Sequence, residues 1–296
     1  MKELEFIRYI SKKFKAGKPV VKGIGDDCAI LDYTKTRYML LTCDMIIEGT
    51  HFSGKATPFQ IGWKAVAVNI SDIAAMGGIP RYILVSAGIP RNKGAKFLKE
   101  IIKGIETISR RFNILLIGGD TNVSRETVIN VTLIGEVEKK CVITRDGARR
   151  GDLIFVTGCL GEGRVKHLNF LPRLKEARIL AKDFKLNSMI DLSDGLAMDL
   201  NRLTEAAKVG ARVYKSLIPL SDASEPLDKA ILAGEDFELL FTAPIGESKK
   251  LIKRMGRRED LPITLIGEIV DRRFGVQLIQ EEGKIKPLKP KGFAHL

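Results

Sequence analysis

The chain has 296 residues, with 49 Lys and Arg against 36 Asp and Glu, a formal charge of +13, 45% hydrophobic and 29% charged residues. Such a balance excludes wholesale disorder, and no apolar run approaches the ~18 residues of a membrane span. At about 150 residues per domain the length fits two domains.

Leu4, Ile7 and Phe14 recur at helical spacing and predict a short amphipathic helix over 3–15. Acids and bases interrupt its apolar positions, so it does not read as a signal peptide, and the cytoplasm is the expected location. Ala29–Asp32 and Tyr38–Cys43 read as strands around a turn at 32–37. Pro58 opens a long helix, proline being suited to a first turn. Ala65, Val66, Ile70, Ile73 and Ala74 give that helix an apolar stripe, and Gly77-Gly78 with Pro80 stops it. Tyr82–Ile89 reads as a strand, and Gly94–Phe112 as a second helix burying Leu98, Ile101, Ile102, Ile105 and Ile108. Ile114–Ile117 reads as a buried strand ending in Gly118-Gly119-Asp120, and Thr127–Glu136 alternates like another strand. The polar, glycine-containing segment Glu138–Asp152 suggests a boundary between domains 1–140 and 141–296. Strands follow at Leu153–Thr157 and Ser188–Leu192, then the turn Ser193-Asp194-Gly195 and a helix over Leu196–Lys208. Ala211–Tyr214, Phe237–Thr242, Ile263–Ile269 and Val276–Gln280 read as further strands, with a helix near Gly246–Met255. Helices and strands alternate throughout, which predicts a mixed α/β (α+β) fold.

Cys28, Cys43, Cys141 and Cys159 contain no C-x-x-C pair and read as reduced thiols, not as a zinc site or a disulfide framework. His51, His167 and His295 are too scattered for a metalloprotease pattern. The basic residues cluster at 12–22, 93–111, 249–258 and 284–291, interleaved with apolar residues at helical spacing. Aromatic residues make up 6% of the chain, a poor supply of stacking platforms, so a solvated basic surface outranks a nucleic-acid face. A basic nucleic-acid-binding protein remains an alternative, but it gives no reason for the placing of the acids.

That placing is the informative feature. Asp26-Asp27 lies in the glycine-punctuated GIGDDCA, and Asp44 and Asp120 follow the apolar runs YMLLTC and ILLIGG. Asp72 lies inside an apolar helix, on one face with Asn69. Asp191 and Asp194 frame MIDLSDG, and Glu235-Asp236 precedes a strand. Strand ends in α/β proteins are where ligands bind. Carboxylates gathered there must take up protons or bind a cation. All-oxygen ligands favour a hard ion such as Mg²⁺, and several Mg²⁺ ions bridging phosphates would point to ATP. Turn and cap roles account well for Asp32, Asp222 and Asp271, no better than a site role for Asp194, and poorly for Asp72. Gly-Lys pairs at 17–18, 54–55 and 283–284 are not followed by Ser or Thr, so there is no P-loop, and protein-kinase and G-x-S-x-G signatures are missing.

Taken together, the segments GIGDDCA, TCDMIIEGTHF, GWKAVAVNISDIAAMGGIP, LLIGGDT, TRDGARRGD, VTGCLG, IDLSDGL, GEDFELLF and KGFAHL resemble the thiamine-monophosphate kinase family. They run in family order over nearly the whole length. Within the same superfamily, an aminoimidazole ribonucleotide synthetase-like enzyme is the alternative, disfavoured by EGTHF and Gly-Gly-Asp-Thr. The resemblance implies direct, in-line transfer of the γ-phosphoryl of ATP to thiamine monophosphate, without a phosphoenzyme. It implies an N-terminal mixed-sheet domain whose strands join a partner's in a homodimer barrel, and a C-terminal α/β domain completing the site. It assigns Mg²⁺ to Asp27, Thr42, Cys43 (through its backbone), Asp44, Asp72, Asp120, Asp191 and Asp194, with Asp72, Asp120 and Asp194 central to catalysis. Gly119, Asp120, Arg145 and Ser193 would meet ATP, and His51 and Glu235 the thiamine phosphate. Residues 164–187 are fewer than the family implies, which suggests a trimmed helix. The ending PKGFAHL lacks the aromatic residues expected at 290 and 296, which would weaken ring stacking on the substrate.

Overall fold

The computed structural model describes residues 3–14, 16–222, 224, 226–255 and 263–292. The helices are α1 (Glu3–Lys13), α2 (Pro58–Ala75), α3 (Ala95–Arg111), α4 (Gly163–Lys166), α5 (Leu174–Asp183), α6 (Leu196–Ala207), α7 (Leu227–Ala230) and α8 (Ile245–Met255). The first sheet holds β1 (Val20–Lys22), β2 (Ala29–Asp32), β3 (Arg37–Ile47), β4 (Ile79–Ile89), β5 (Leu115–Val123) and β6 (Val128–Glu138) in the order β1-β2-β3-β6-β4-β5. The second holds β7 (Leu153–Thr157), β8 (Ser188–Asp191), β9 (Gly210–Tyr214), β10 (Leu239–Ala243), β11 (Ile263–Val270), β12 (Val276–Ile279) and β13 (Ile285–Pro287), ordered β13-β12-β9-β11-β7-β10-β8. Both sheets are mixed: β4 pairs parallel with β5, and β12 with β9.

Sequence periodicity located most of these elements within a few residues. The strand over Tyr38–Cys43 runs on to Ile47. The stretch 164–187 keeps a helix, α5, which small residues at Ala177 and Ala181 left without a clear periodic signal. The expectation of a buried strand at Ile114–Ile117 is corrected: Ile114, just before β5, is buried, but Leu115, Leu116 and Ile117 are exposed. β5 runs through Gly118-Gly119-Asp120 to Val123 as an edge strand exposed along its length. Its apolar residues reflect a free edge, not interior packing.

Helix α2 positions the site. Thr57 caps it, accepting from the Gln60 amide while the Gln60 side chain accepts from the Thr57 amide, which satisfies two orphan amide donors of the first turn. The helix is buried on nearly every side because it lies between the first sheet and elements of the second unit. It crosses α3 at backbone contact. A Cβ on Gly62 would lie 2.0 Å from the Ile101 carbonyl oxygen, and one on Gly104 would lie 2.1 Å from that of Phe59. One apolar core runs from β3, β6, α2 and α3 through α5 to Phe155 and Phe241 of the second sheet, whose rings stack 5.4 Å apart. A second core lies among α6, β7, β9 and β11. Among the described residues no helix is long and apolar enough to cross a membrane.

Candidate active site

A cavity of about 730 Å³ opens between the two sheets' elements. Lys64, Val68 and Asp72 of α2 all line it, four residues apart and therefore on one face. At 1.5 Å per residue this stripe spans roughly 12 Å from Lys64 to Asp72. The two ends carry different chemistry.

At the Asp72 end, carboxylate oxygens of Asp27, Asp72 and Asp191 lie within 4.8 Å of one another. Asp27 comes from the loop before β2, Asp191 from the end of β8. Thr42 Oγ1 donates to Asp72, Ser71 Oγ donates to Asp191 at 2.6 Å, and Arg145 grips Asp27 with two nitrogens. Burial, then the charges of Asp44, Asp191 and Asp27, pushes the Asp72 carboxyl well above its usual range. Burial, then Asp27, does the same to Asp191. A cation between the three would remove that repulsion. Oxygen–oxygen separations under 4.8 Å suit the ~2.1 Å bonds of an octahedral Mg²⁺, and the donors are hard oxygens. The residues therefore fit Mg²⁺.

Asp44, Ser193 and Asp194 line the same cavity. Asn69 fixes the backbone there, accepting from the Asp44 amide at 3.2 Å. Asp194 is not the cap of α6; Gly195 holds that position with φ +101. Its carboxylate instead pairs with Arg202, which also contacts the buried Asp199 at 3.0 Å. Burial, then the Asp194 charge, raises the Asp199 carboxyl to about 7. Cys43 borders the cavity, but its side chain is exposed and meets Asn130 and Thr132, each at 3.4 Å.

At the other end stand His51, Lys64, Glu235 and Phe237. His51 Nδ1 accepts from the Ile47 amide at 3.1 Å. Glu235 has φ +70 and Phe237 φ +50, left-handed backbone that surrounding structure must hold. The Glu235 amide donates to the Ser193 carbonyl at 2.7 Å, and Asp236 accepts from the amides of Gly161 and Gly163. Phe237 stacks on Phe170 with centroids 4.0 Å apart.

Thus Asp27, Thr42, Cys43, Asp44, His51, Asp72, Arg145, Asp191, Ser193, Asp194 and Glu235 border one cavity. Gly119 and Asp120 do not; they border a separate groove of about 370 Å³ beside α3. The register Met45–Asn130–Ser86–Asp120 puts Asp120 three strands from β3, about 14 Å at ordinary strand spacing. The aromatic residues missed at the tail concern 290 and 296, and residues 293–296 lie outside those described. Sequence reasoning overlooked Lys64, His167, Asp199 and Arg202. Lys64 carried the same signal as Asp72, a charge inside an apolar helix.

The family profile "AIR synthase related protein, N-terminal domain" matches residues 25–137, and the corresponding C-terminal domain profile matches 149–279. A thiamine-monophosphate kinase of Buchnera aphidicola (subsp. Schizaphis graminum) is 35% identical, over 99% of this chain and 98% of its own. That of Bacillus subtilis is 32% identical, over 100% and 99%. The solved structure of AaThiL complexed with AMPPCP and TMP superposes with a TM-score of 0.85 at 30% identity, covering 100% of this chain and 97% of that one. With two-domain architecture and full-length similarity in agreement, the chain belongs to the thiamine-monophosphate kinase family.

Proposed function

We propose that this chain transfers the γ-phosphoryl group of ATP to thiamine monophosphate, giving thiamine diphosphate and ADP. The observation that carries this reading is the Asp27–Asp72–Asp191 triplet at one end of a cavity whose other end presents His51 and Glu235. Full-length relatives named for this activity, and a neighbour solved with an ATP analogue and TMP, support it.

Asp27, Asp72 and Asp191 would hold Mg²⁺, with Asp44, Asp194, the Thr42 hydroxyl and the Cys43 backbone completing the cage. Bound Mg²⁺ would neutralise the charge of the phosphates. Arg145 and Ser193 would meet the nucleotide, and His51 and Glu235 the acceptor. An acceptor phosphate oxygen attacks the γ-phosphorus in line and ADP leaves with the bridging oxygen. Positioning and charge neutralisation are most of such catalysis, so no covalent nucleophile is required. Residues 1–140 would supply the α2 wall of the site, and 141–296 the Arg145, Asp191 and Glu235 wall.

Asp120 and Gly119 would serve the site from a second copy. The face of the first sheet away from α2 and α3 exposes Met45, Tyr82 and Leu84, and the free edge β5 exposes Leu115 (60%) and Ile117 (54%). An apolar face and an unpaired edge on one sheet suit closure against the same surface of a partner. We place this homodimer in the cytoplasm, in keeping with its four free thiols.

The test is incubation with ATP, Mg²⁺ and thiamine monophosphate, following thiamine diphosphate, with thiamine as control acceptor. Diphosphate from the monophosphate alone is expected. Its absence across Mg²⁺ concentrations would overturn the reading.

A further inference from the structure

Lys64 is the anomaly of this molecule. Its side chain is 1% exposed in the middle of a helix otherwise chosen for apolar packing. Lysine is almost never fully buried unless paired. Here the ammonium lies at the meeting point of four chain segments. It donates to the His51 carbonyl at 2.6 Å and to Glu235 Oε1, and His167 Nδ1 lies 2.7 Å away. His167 Nδ1 also lies 3.0 Å from Glu235 Oε2, which closes a triangle. Two corners of it, Glu235 and His167, belong to the C-terminal half. Lys64 and the His51 loop belong to the N-terminal half.

The segment carrying His167 is itself fastened to α2. Trp63 Nε1, beside Lys64 in sequence, donates to the Phe170 carbonyl at 2.9 Å, and the Phe170 ring stacks on Phe237. The left-handed Glu235 is therefore held through its amide by the Ser193 carbonyl and through its carboxylate by His167 and Lys64. Burial alone would raise the Glu235 carboxyl; the His167 hydrogen bond, then Lys64, bring it below its usual value. The Asp27–Asp72–Asp191 cluster stands at the other end of the α2 stripe, about two helical turns from Lys64.

We propose that Lys64 is a positioning residue for the acceptor half of the site: by bridging the His51 loop to Glu235 and His167 across the two halves of the chain, it fixes the carboxylate and the imidazole that receive thiamine monophosphate, and leaves the nucleotide half alone. This rests on the kinase reading above. It differs from a general packing role in what it spares: among the described residues, no hydrogen bond links the Asp27–Asp72–Asp191 end to the triangle.

Steady-state kinetics and calorimetric binding on the full chain would test it, using Lys64→Met, which keeps length and loses charge, and Glu235→Gln, which keeps Lys64 in place. In each variant the thiamine monophosphate KM should rise about tenfold or more, while that for ATP stays within about twofold, tenfold being what one lost charge-assisted hydrogen bond is worth. The double variant should be no worse than the worse single one, since the two groups act together. If Lys64→Met fails to fold, Glu235→Gln and His167→Asn must still show the same split. An active wild type whose variants lose ATP and thiamine monophosphate affinity equally, or lose neither, overturns the role of Lys64 alone. A wild type that neither binds nor phosphorylates thiamine monophosphate overturns the kinase reading and this proposal with it.

Discussion

In the proposed Mg²⁺ role, Asp72 would tie stability to function in opposite directions. Its carboxyl and that of Asp191 are driven above the ordinary Asp value of 3.8. The native state then holds protons that the unfolded chain has released, so without metal stability falls as pH rises above about 4. Mg²⁺ should reverse the effect, and its thermal shift should be larger at about pH 8 than at about pH 5; equal shifts at both would remove Asp72 and Asp191 from the metal site. Asp72→Asn should raise the melting temperature of the metal-free protein while lowering turnover by two to three orders of magnitude, roughly what one preorganised charge contributes. Differential scanning calorimetry and a thiamine diphosphate assay on the same preparation check both halves. A variant with near-normal turnover would make Asp72 a structural acid.

Among the elements, α2 carries the most. Its two flanks see different partners: Gly62 against α3, Lys64 and Asp72 toward the cavity. Gly62→Ala or Gly104→Ala would drive a methyl into a backbone carbonyl, which backbone cannot yield without opening the helix pair. Each should cost about 1–3 kcal/mol, in line with overpacking elsewhere. Because the same helix presents Lys64 and Asp72, the loss should reach activity as well. Urea midpoints would measure the first effect; an unchanged midpoint would mean that α2 and α3 can separate freely. Strand β5 is the complementary case, since its apolar residues face outward and gain a purpose only through a partner.

For the whole molecule, the separation of Asp120 from the Asp27–Asp72–Asp191 cluster is the question that a single chain poses. If a C2 dimer joins them, each site combines Asp72 of one copy with Asp120 of the other. Asp72→Asn and Asp120→Asn proteins would each be inactive. Unfolded together and refolded, they should regain about a quarter of wild-type activity, from the one intact site in each mixed dimer. No recovery, with mixed dimers shown by mass, would mean that Asp120 acts in its own chain or not at all. Ile117→Glu, on the exposed edge, should sediment as a folded monomer.

Local chemistry made much of this legible. Pro58 and Gly77-Gly78 bound α2 because proline and glycine restrict or free the backbone wherever they occur. Alternating and 3.6-residue patterns located the strands and helices because burial repeats with the geometry of each element. Asp72 stood out because an acid in an apolar helix needs a partner whatever the fold. Other features depended on residues far apart in sequence. That Asp27, Asp72 and Asp191 converge follows from the placing of β8 against α2. That Leu115–Ile117 is exposed follows from β5 being last in its sheet, which an apolar run cannot reveal. Lys64, His167 and Glu235 lie 103 and 171 residues apart from the lysine, so only the packing of one half of the chain on the other could make them a single group.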